Sequence, residues 1–248
     1  MTAAPRATDS NDEESALNSS TVLPDVIRDF ERVSPDVVAQ AAKYPSSILA
    51  DVAGRRGALS GRIAPLASSM RVCGTAFTVE VRPGDNLMIH AALALARPGD
   101  VIVVDGKGDV SSALMGEIMC QQAAALGLAG VVLDGAARDS EAIRALGFPV
   151  FAAGLNPNGP TKSVAGRLNH PVSVGGVPVS PGDLVVGDAD GVTVIERGKA
   201  AAMLALAEEK VAAETRRIAD IRSGKQLRPG WLDGALRAAG VIGAGETL

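Results

Sequence analysis

A chain of 248 residues is long enough to bury a full core, and its net charge of −4 argues against a nucleic-acid-binding surface. Hydrophobic residues make up 47% and aromatic residues only 2%, so the core must be built from Val, Ile, Leu and Ala, which favours an α/β protein over an all-β sandwich. One Trp, one Tyr and four Phe leave little material for base stacking, so no nucleic-acid partner is expected.

No apolar run reaches the roughly 18 residues of a membrane span, and no basic-then-apolar leader is present. The expectation is a cytoplasmic protein with no membrane partner. Cys73 and Cys120 have neither metal-type spacing nor a disulfide framework, and both read as buried reduced thiols. His90 and His170 are too few for a zinc site.

Residues 1–22 are polar, small and slightly acidic, and are expected to be disordered. A single domain is expected over 23–225, with a C-terminal tail over 226–248. Ser34-Pro35-Asp36 predicts a helix through Ala42, with Ser34 as N-cap and Pro35 at the first helical position. Residues 46–54 read as a second short helix closed by Gly54, and the alternation over Ala76–Val81 as a strand.

Pro-Gly-Asp recurs at 83–85, 98–100 and 181–183, and Pro followed by Gly suits the centre of a type II turn. The first copy leads into a predicted helix over Asn86–Ala96, with Asp85 as cap and His90 inside. The others lead into strands, Val101–Val104 and Leu184–Val186. This is repeated turn chemistry without a fixed period, so no solenoid is inferred.

Val101–Asp105 reads as a buried strand and 106–109 as a glycine-rich loop. Ser111 or Ser112 can cap a helix running to about Leu126, before the next strand, Val131–Asp134. Strand, helix and strand at this length make a βαβ unit. A helix over Ser140–Leu146 and a strand over Pro149–Ala152 follow. Beyond them come short strands at 172–174, 177–179, 184–186 and 192–195, with residues 187–191 as a tight hairpin. A long helix begins at Lys199 and ends near Ile221.

Ligands of parallel α/β units gather at the carboxyl ends of the strands, where helix N-termini also point. That edge should carry Asp105, Gly116, Glu117, Arg138 and Asp139. Carboxylates there can hold a hard divalent cation, and an Arg fork with a helix N-terminus can hold an organic carboxylate or an enolate oxygen. The same residues fit ordinary helix chemistry equally well. Glu117 can serve the helix dipole, Asp139 can cap the helix from Ser140, and Arg138 can pair with either at the surface. Spacing alone leaves both readings open. Asp105 and Asp134 are expected to bond turn amides.

The run PGDNLMIHAALALARPGDVIVVDGKGDVSSALMGEIM, then GVVLDGAARD, then PVSVGGVPVSPGDLVVGDADGVTVI, closely resembles the RraA-like family. That family includes 4-hydroxy-4-methyl-2-oxoglutarate/4-carboxy-4-hydroxy-2-oxoadipate aldolases and the regulator of ribonuclease activity A. The likeness spans about residues 35–220 in order. It implies a swivelling-type α/β/β sandwich with a C-terminal helix, assembled as a homotrimer or homohexamer.

The family's aldolases carry Asp, twenty residues, then Arg-Asp; this chain has Glu117, twenty residues, then Arg138-Asp139. The resemblance implies that Asp139 ligates Mg²⁺ or Mn²⁺ and that Arg138 binds a small 2-oxo acid and stabilises its enolate. It also implies that the backbone of Gly116, Glu117, Ile118 and Met119 receives the substrate carboxylate. Glu117 would hold metal-bound water in place of the family's Asp. A carboxylate from a neighbouring subunit's C-terminal helix, Glu209 or Glu214, would complete the site.

The expected activity is metal-dependent C–C cleavage through a pyruvate enolate, as an aldolase, an oxaloacetate decarboxylase or both. The alternatives are a non-enzymatic RraA-like regulatory binding protein, and an isomerase, lyase or hydratase acting on another 2-oxo acid.

Overall fold

The apolar runs of the centre pair side by side into one mixed sheet in the computed structural model, which describes residues 25–248. The disorder expected for residues 1–22 lies outside the described residues. The sheet runs β1 (Ala64–Pro65), β5 (Val150–Leu155), β4 (Gly130–Ala137), β3 (Asp100–Met115), β2 (Val72–Glu80), β9 (Leu184–Asp188), β10 (Gly191–Ile195), with β6 (Arg167–Leu168) on β2.

β2, β3, β4 and β5 are parallel neighbours. They can be parallel because α3 (Leu87–Leu95), α4 (Glu117–Ala125) and α5 (Ser140–Leu146) cross over between them. The β9–β10 hairpin expected around 187–191 closes the other edge, antiparallel to β2.

Successive side chains of a buried strand face opposite ways, and that alternation builds three layers. Ile102, Val104, Val131 and Leu133 face the crossover helices through Ile89, Leu93, Met119 and Ile143. Val101, Val103 and Val132 face a small second sheet, β7 (Val172–Val174) with β8 (Val177–Val179). Helices, large sheet and small sheet make the expected α/β/β sandwich. Each fully buried Val, Ile or Leu contributes roughly 1.5–3 kcal/mol, so the scarcity of aromatics does not starve this core.

A third cluster joins α1 (Pro35–Ala41), α2 (Ser46–Val52) and the C-terminal helix α6 (Ala200–Arg222) to β9 and β10. α1 starts as its sequence predicts: Ser34 Oγ accepts from Val37 N at 3.3 Å, with Pro35 inside the first turn. Among the described residues no helix is long and apolar enough to cross a membrane.

Several expectations need correction. Residues 106–109 do not end the strand, and neither Ser111 nor Ser112 caps a helix. β3 continues from Asp100 to Met115, and Asp109, Ala113 and Met115 pair with Gly135, Ala136 and Ala137 across register shifts. Lys107 (φ 59°) and Gly108 (φ 72°) put a bulge into the strand, which bends it without terminating the pairing. Asp105 therefore lies inside β3. Asn86, not Asp85, is the N-cap residue of α3, although Asp85 Oδ1 accepts from Leu87 N at 3.0 Å. Within the tail, Leu232–Ala238 forms a further helix, α7.

Candidate active site

β3 and β4 finish side by side, with Met115 opposite Ala137, and each turns directly into a helix. Arg138 N donates to Met115 O at 2.9 Å and locks the two exits together. Asp139 then takes a left-handed conformation, φ 59° and ψ 37°, which costs a residue with a β-carbon roughly 1–3 kcal/mol.

That conformation decides where its carboxylate goes. Asp139 occupies the N-cap position of α5 but makes no side-chain cap bond to it. Its Oδ2 instead accepts from Glu117 N, the first residue of α4, at 3.0 Å, and lies 3.6 Å from Arg138 Nε. The capping interaction open to Asp139 in the sequence thus exists, but on the neighbouring helix. Asp139 and Arg138 both keep more than two-fifths of their side chains exposed, so they face a reachable opening.

Gly116, Ile118, Met119, Arg138 and Asp139 share a cavity of about 150 Å³. This is small beside the roughly 300–1,000 Å³ of sites for drug-sized ligands, so it has room for a small molecule. Glu117 joins the group through its main chain. Its carboxylate makes no hydrogen bond or ion pair with a described residue. Below the cavity, burial and the Asp139 charge push the Cys120 thiol up to about 12, which makes it inert as a nucleophile.

Asp105 does not share this cavity. It accepts from Lys107 Nζ at 2.7 Å, and Lys107 also binds Glu80 at 3.0 Å beside a separate surface pocket. Burial opposes the Lys107 charge, but those bonds outweigh it and raise its pKa. Asp134 accepts from Gly175 N at 2.8 Å and from Arg62 at 2.9 Å, tying β4 to the β7–β8 turn. Glu214 pairs with Lys210, and Glu209 lines a groove beside Val52; neither lines the cavity within one chain.

Three polar lining residues were not legible in the sequence: Asn86, His90 and Lys162. Asn86 is 3% exposed; its Nδ2 donates to Leu114 O at 2.9 Å, but its buried Oδ1 has no partner. His90 Nε2 is likewise buried and unpartnered. Burial first, and then the Lys162 charge, lower the His90 pKa, so it is neutral at pH 7. An unpaired buried polar atom costs roughly 1–3 kcal/mol, so two residues of this cavity wall each carry a local energetic cost. The available signal was a polar pair four residues apart, Asn86 at the start of an otherwise apolar helix and His90 inside it.

Asp139 offers a hard oxygen donor whose Oδ1 is unengaged among the described residues, whereas no group of three His, Cys, Asp or Glu there forms a metal cluster. That donor set does not fit a closed zinc centre. It fits a magnesium-type ion, which keeps several waters and takes one or two carboxylates plus substrate oxygens.

The family model described as Aldolase/RraA (RraA-like) matches residues 28–194. A protein of Halalkalibacterium halodurans, provisionally named 4-hydroxy-4-methyl-2-oxoglutarate aldolase, is 44% identical over 177 residues, covering 71% of this chain and 84% of that protein. Among solved structures, an uncharacterized protein from Pseudomonas syringae pv. tomato superposes with a TM-score of 0.71 at 29% identity, covering 80% of this chain and 98% of that one. Streptomyces coelicolor RraAS2, described as an unusual member of the RNase ES inhibitor RraA family, superposes with a TM-score of 0.70 at 30% identity, covering 76% and 98%.

Proposed function

This chain belongs to the RraA-like family, and we propose that it is a divalent-metal-dependent lyase that cleaves a C–C bond of a small 2-oxo acid. Aldol cleavage of the 4-hydroxy-4-methyl-2-oxoglutarate type and oxaloacetate decarboxylation both release a pyruvate enolate, so one site can serve both. The observation that carries this reading is the adjacency of Arg138 and Asp139 at the N-terminus of α4, in a cavity sized for a small acid.

The first N–H groups of a helix lack intrahelical partners and bind anions. Asp139 takes the Glu117 N–H, so those of Ile118 and Met119 are left to receive the substrate carboxylate. The Arg138 guanidinium holds the 2-oxo oxygen and stabilises the enolate charge that develops on it. Asp139, with Glu117 through water, would hold Mg²⁺ or Mn²⁺, which when bound supplies Lewis-acid polarisation of the pyruvyl oxygens.

Aldol cleavage also needs a base for the 4-hydroxyl proton. The unpaired Glu117 carboxylate, acting through water, is the group assigned that role. Lys162 supplies the second cation of the cavity for a second carboxylate. Lys107 is not set up for Schiff-base chemistry, because Asp105 and Glu80 hold it charged beside a separate pocket. A homotrimer or homohexamer in the cytoplasm belongs to the same proposal.

The test is pyruvate release from oxaloacetate and from 4-hydroxy-4-methyl-2-oxoglutarate with Mg²⁺ or Mn²⁺, repeated with chelator. Turnover that the chelator abolishes is expected. A second reading, a regulatory binding protein, draws support from the likeness to RraAS2. Absence of turnover on both acids would favour it.

A further inference from the structure

Pro160 and Lys162, both in the segment 156–164, line one side of the cavity. Apart from a single bridge at Thr161, the segment has no regular secondary structure, so its position depends on individual hydrogen bonds. At its start Asn156 N donates to Ala137 O at 3.0 Å, and Asn158 O accepts from Ala113 N at 2.9 Å. In the middle, Gly159 packs on Arg138: a β-carbon there would lie 2.9 Å from one guanidinium nitrogen.

The far end converges on one buried carboxylate. Asp85 is 1% exposed, and its Oδ2 accepts from Thr161 Oγ1 at 2.7 Å, Ser163 N at 2.8 Å and Val164 N at 3.2 Å. Its Oδ1 accepts from Leu87 N at 3.0 Å, in the first turn of α3. Burial alone would raise the Asp85 pKa, but these bonds outweigh it and hold it at about 2.

We propose that Asp85 is a positioning residue for the reaction: it clamps the 156–164 segment to α3, so that Pro160 and Lys162 present a preset wall to the part of the substrate beyond the pyruvyl group while Gly159 packs against Arg138. This rests on the lyase reading above. A role as a helix cap alone would use one donor, whereas three of the four donors come from the segment. Hydrogen bonds to an ionised acceptor are roughly twice as strong as neutral ones, and an irregular segment without such an anchor opens at low free energy.

The test compares the full-length protein with Asp85→Ala and Asp85→Asn, loaded with Mg²⁺ and held well below every melting temperature. In Asp85→Ala, KM for 4-hydroxy-4-methyl-2-oxoglutarate is expected to rise at least about tenfold. Inhibition by pyruvate, which fills only the pyruvyl end, should weaken by less than about threefold. Asp85→Asn should fall between, and it carries the same comparison if the alanine variant fails to fold. Amide hydrogen exchange at Thr161, Ser163 and Val164 should accelerate at least about tenfold while the β4 amides hold.

An unchanged KM, or pyruvate inhibition weakened as much as KM, overturns the proposal. If the wild-type protein releases no pyruvate, the lyase reading fails by itself. The exchange measurement then still judges the clamp, and unaltered exchange in the variants overturns it.

Discussion

A β-carbon on residue 116 would lie 2.4 Å from Asp139 Oδ2, so the Asp139 carboxylate occupies the space that a side chain at Gly116 would fill. The same atom would come within 2.9 Å of Arg138 Cγ. Gly116 is the N-cap of α4 with an ordinary extended backbone (φ −142°), so what demands glycine is room for two functional side chains and not a special φ. The close approach brings the Asp139 carboxylate to the Glu117 amide, and it makes position 116 a direct control on the site.

Gly116→Ala should therefore displace Asp139, Arg138 or both. Misplacement of reacting groups by about 1 Å can cost about a hundredfold in rate, and a loss of kcat/KM of that order is expected. Overpacking should lower stability by about 1–3 kcal/mol. Steady-state kinetics with a thermal melt check both, and full activity in a folded variant would contradict the placement of these side chains.

Asp139→Ala is expected to abolish metal-dependent pyruvate release, because it removes the carboxylate assigned to the ion. Arg138→Ala should reduce kcat by about 10²–10³, the usual effect of deleting a group that stabilises oxyanion charge. Turnover on either 2-oxo acid that survives both substitutions would remove this edge as the active site.

Glu117→Gln separates the main-chain role of this residue from its side-chain role. The amide that bonds Asp139 is retained, and the carboxylate lost has no partner among the described residues. Stability should stay within about 0.5 kcal/mol of wild type. As the base acting through water, Glu117 should account for about 10²–10⁴ in kcat, with KM little changed. Glu117→Asp, which keeps the carboxylate, should recover much of that loss. Equal rates for wild type and Glu117→Gln would move the proton transfer elsewhere.

His90 sets a pH dependence of stability. Burial and Lys162 hold its pKa below the ordinary value, and Arg138 and Asp139 line the same cavity. The unfolded chain gains a proton as pH falls through about 6.5, while folded His90 resists it. The contribution is thus fully present above about 6.5 and is lost as pH falls toward the lower folded value. Melting temperatures followed from about pH 7.5 down to about pH 5 should decline. The decline should be shallower in His90→Gln, and parallel curves would show that His90 does not titrate as described.

Much of the architecture was legible because it is written locally. The Ser34 cap, the 187–191 hairpin, the crossover helices and the strand alternation depend on residues within a turn or two of one another. The continuation of β3 through Gly106-Lys107-Gly108 was not legible, because it depends on pairing with Gly135, Ala136 and Ala137. Read alone, those glycines look like the end of a strand. Across the sheet they form a bulge, and that longer strand brings Met115 and Gly116 to the site.

For the site itself, residue order alone shows that Arg138 and Asp139 follow a buried strand, that twenty residues separate Glu117 from Arg138, and that this pattern resembles the RraA-like family. It could not decide whether Asp139 caps its own helix. The left-handed backbone at Asp139 settled that, aiming the carboxylate across to the Glu117 amide. Nor could it assemble the walls. Asn86, His90 and Lys162 line one cavity with Arg138 because sheet order and hydrogen bonds between distant segments bring them together. Periodicity and caps act over a few residues, whereas convergence of side chains on a cavity is set by the pairing of strands far apart in the chain.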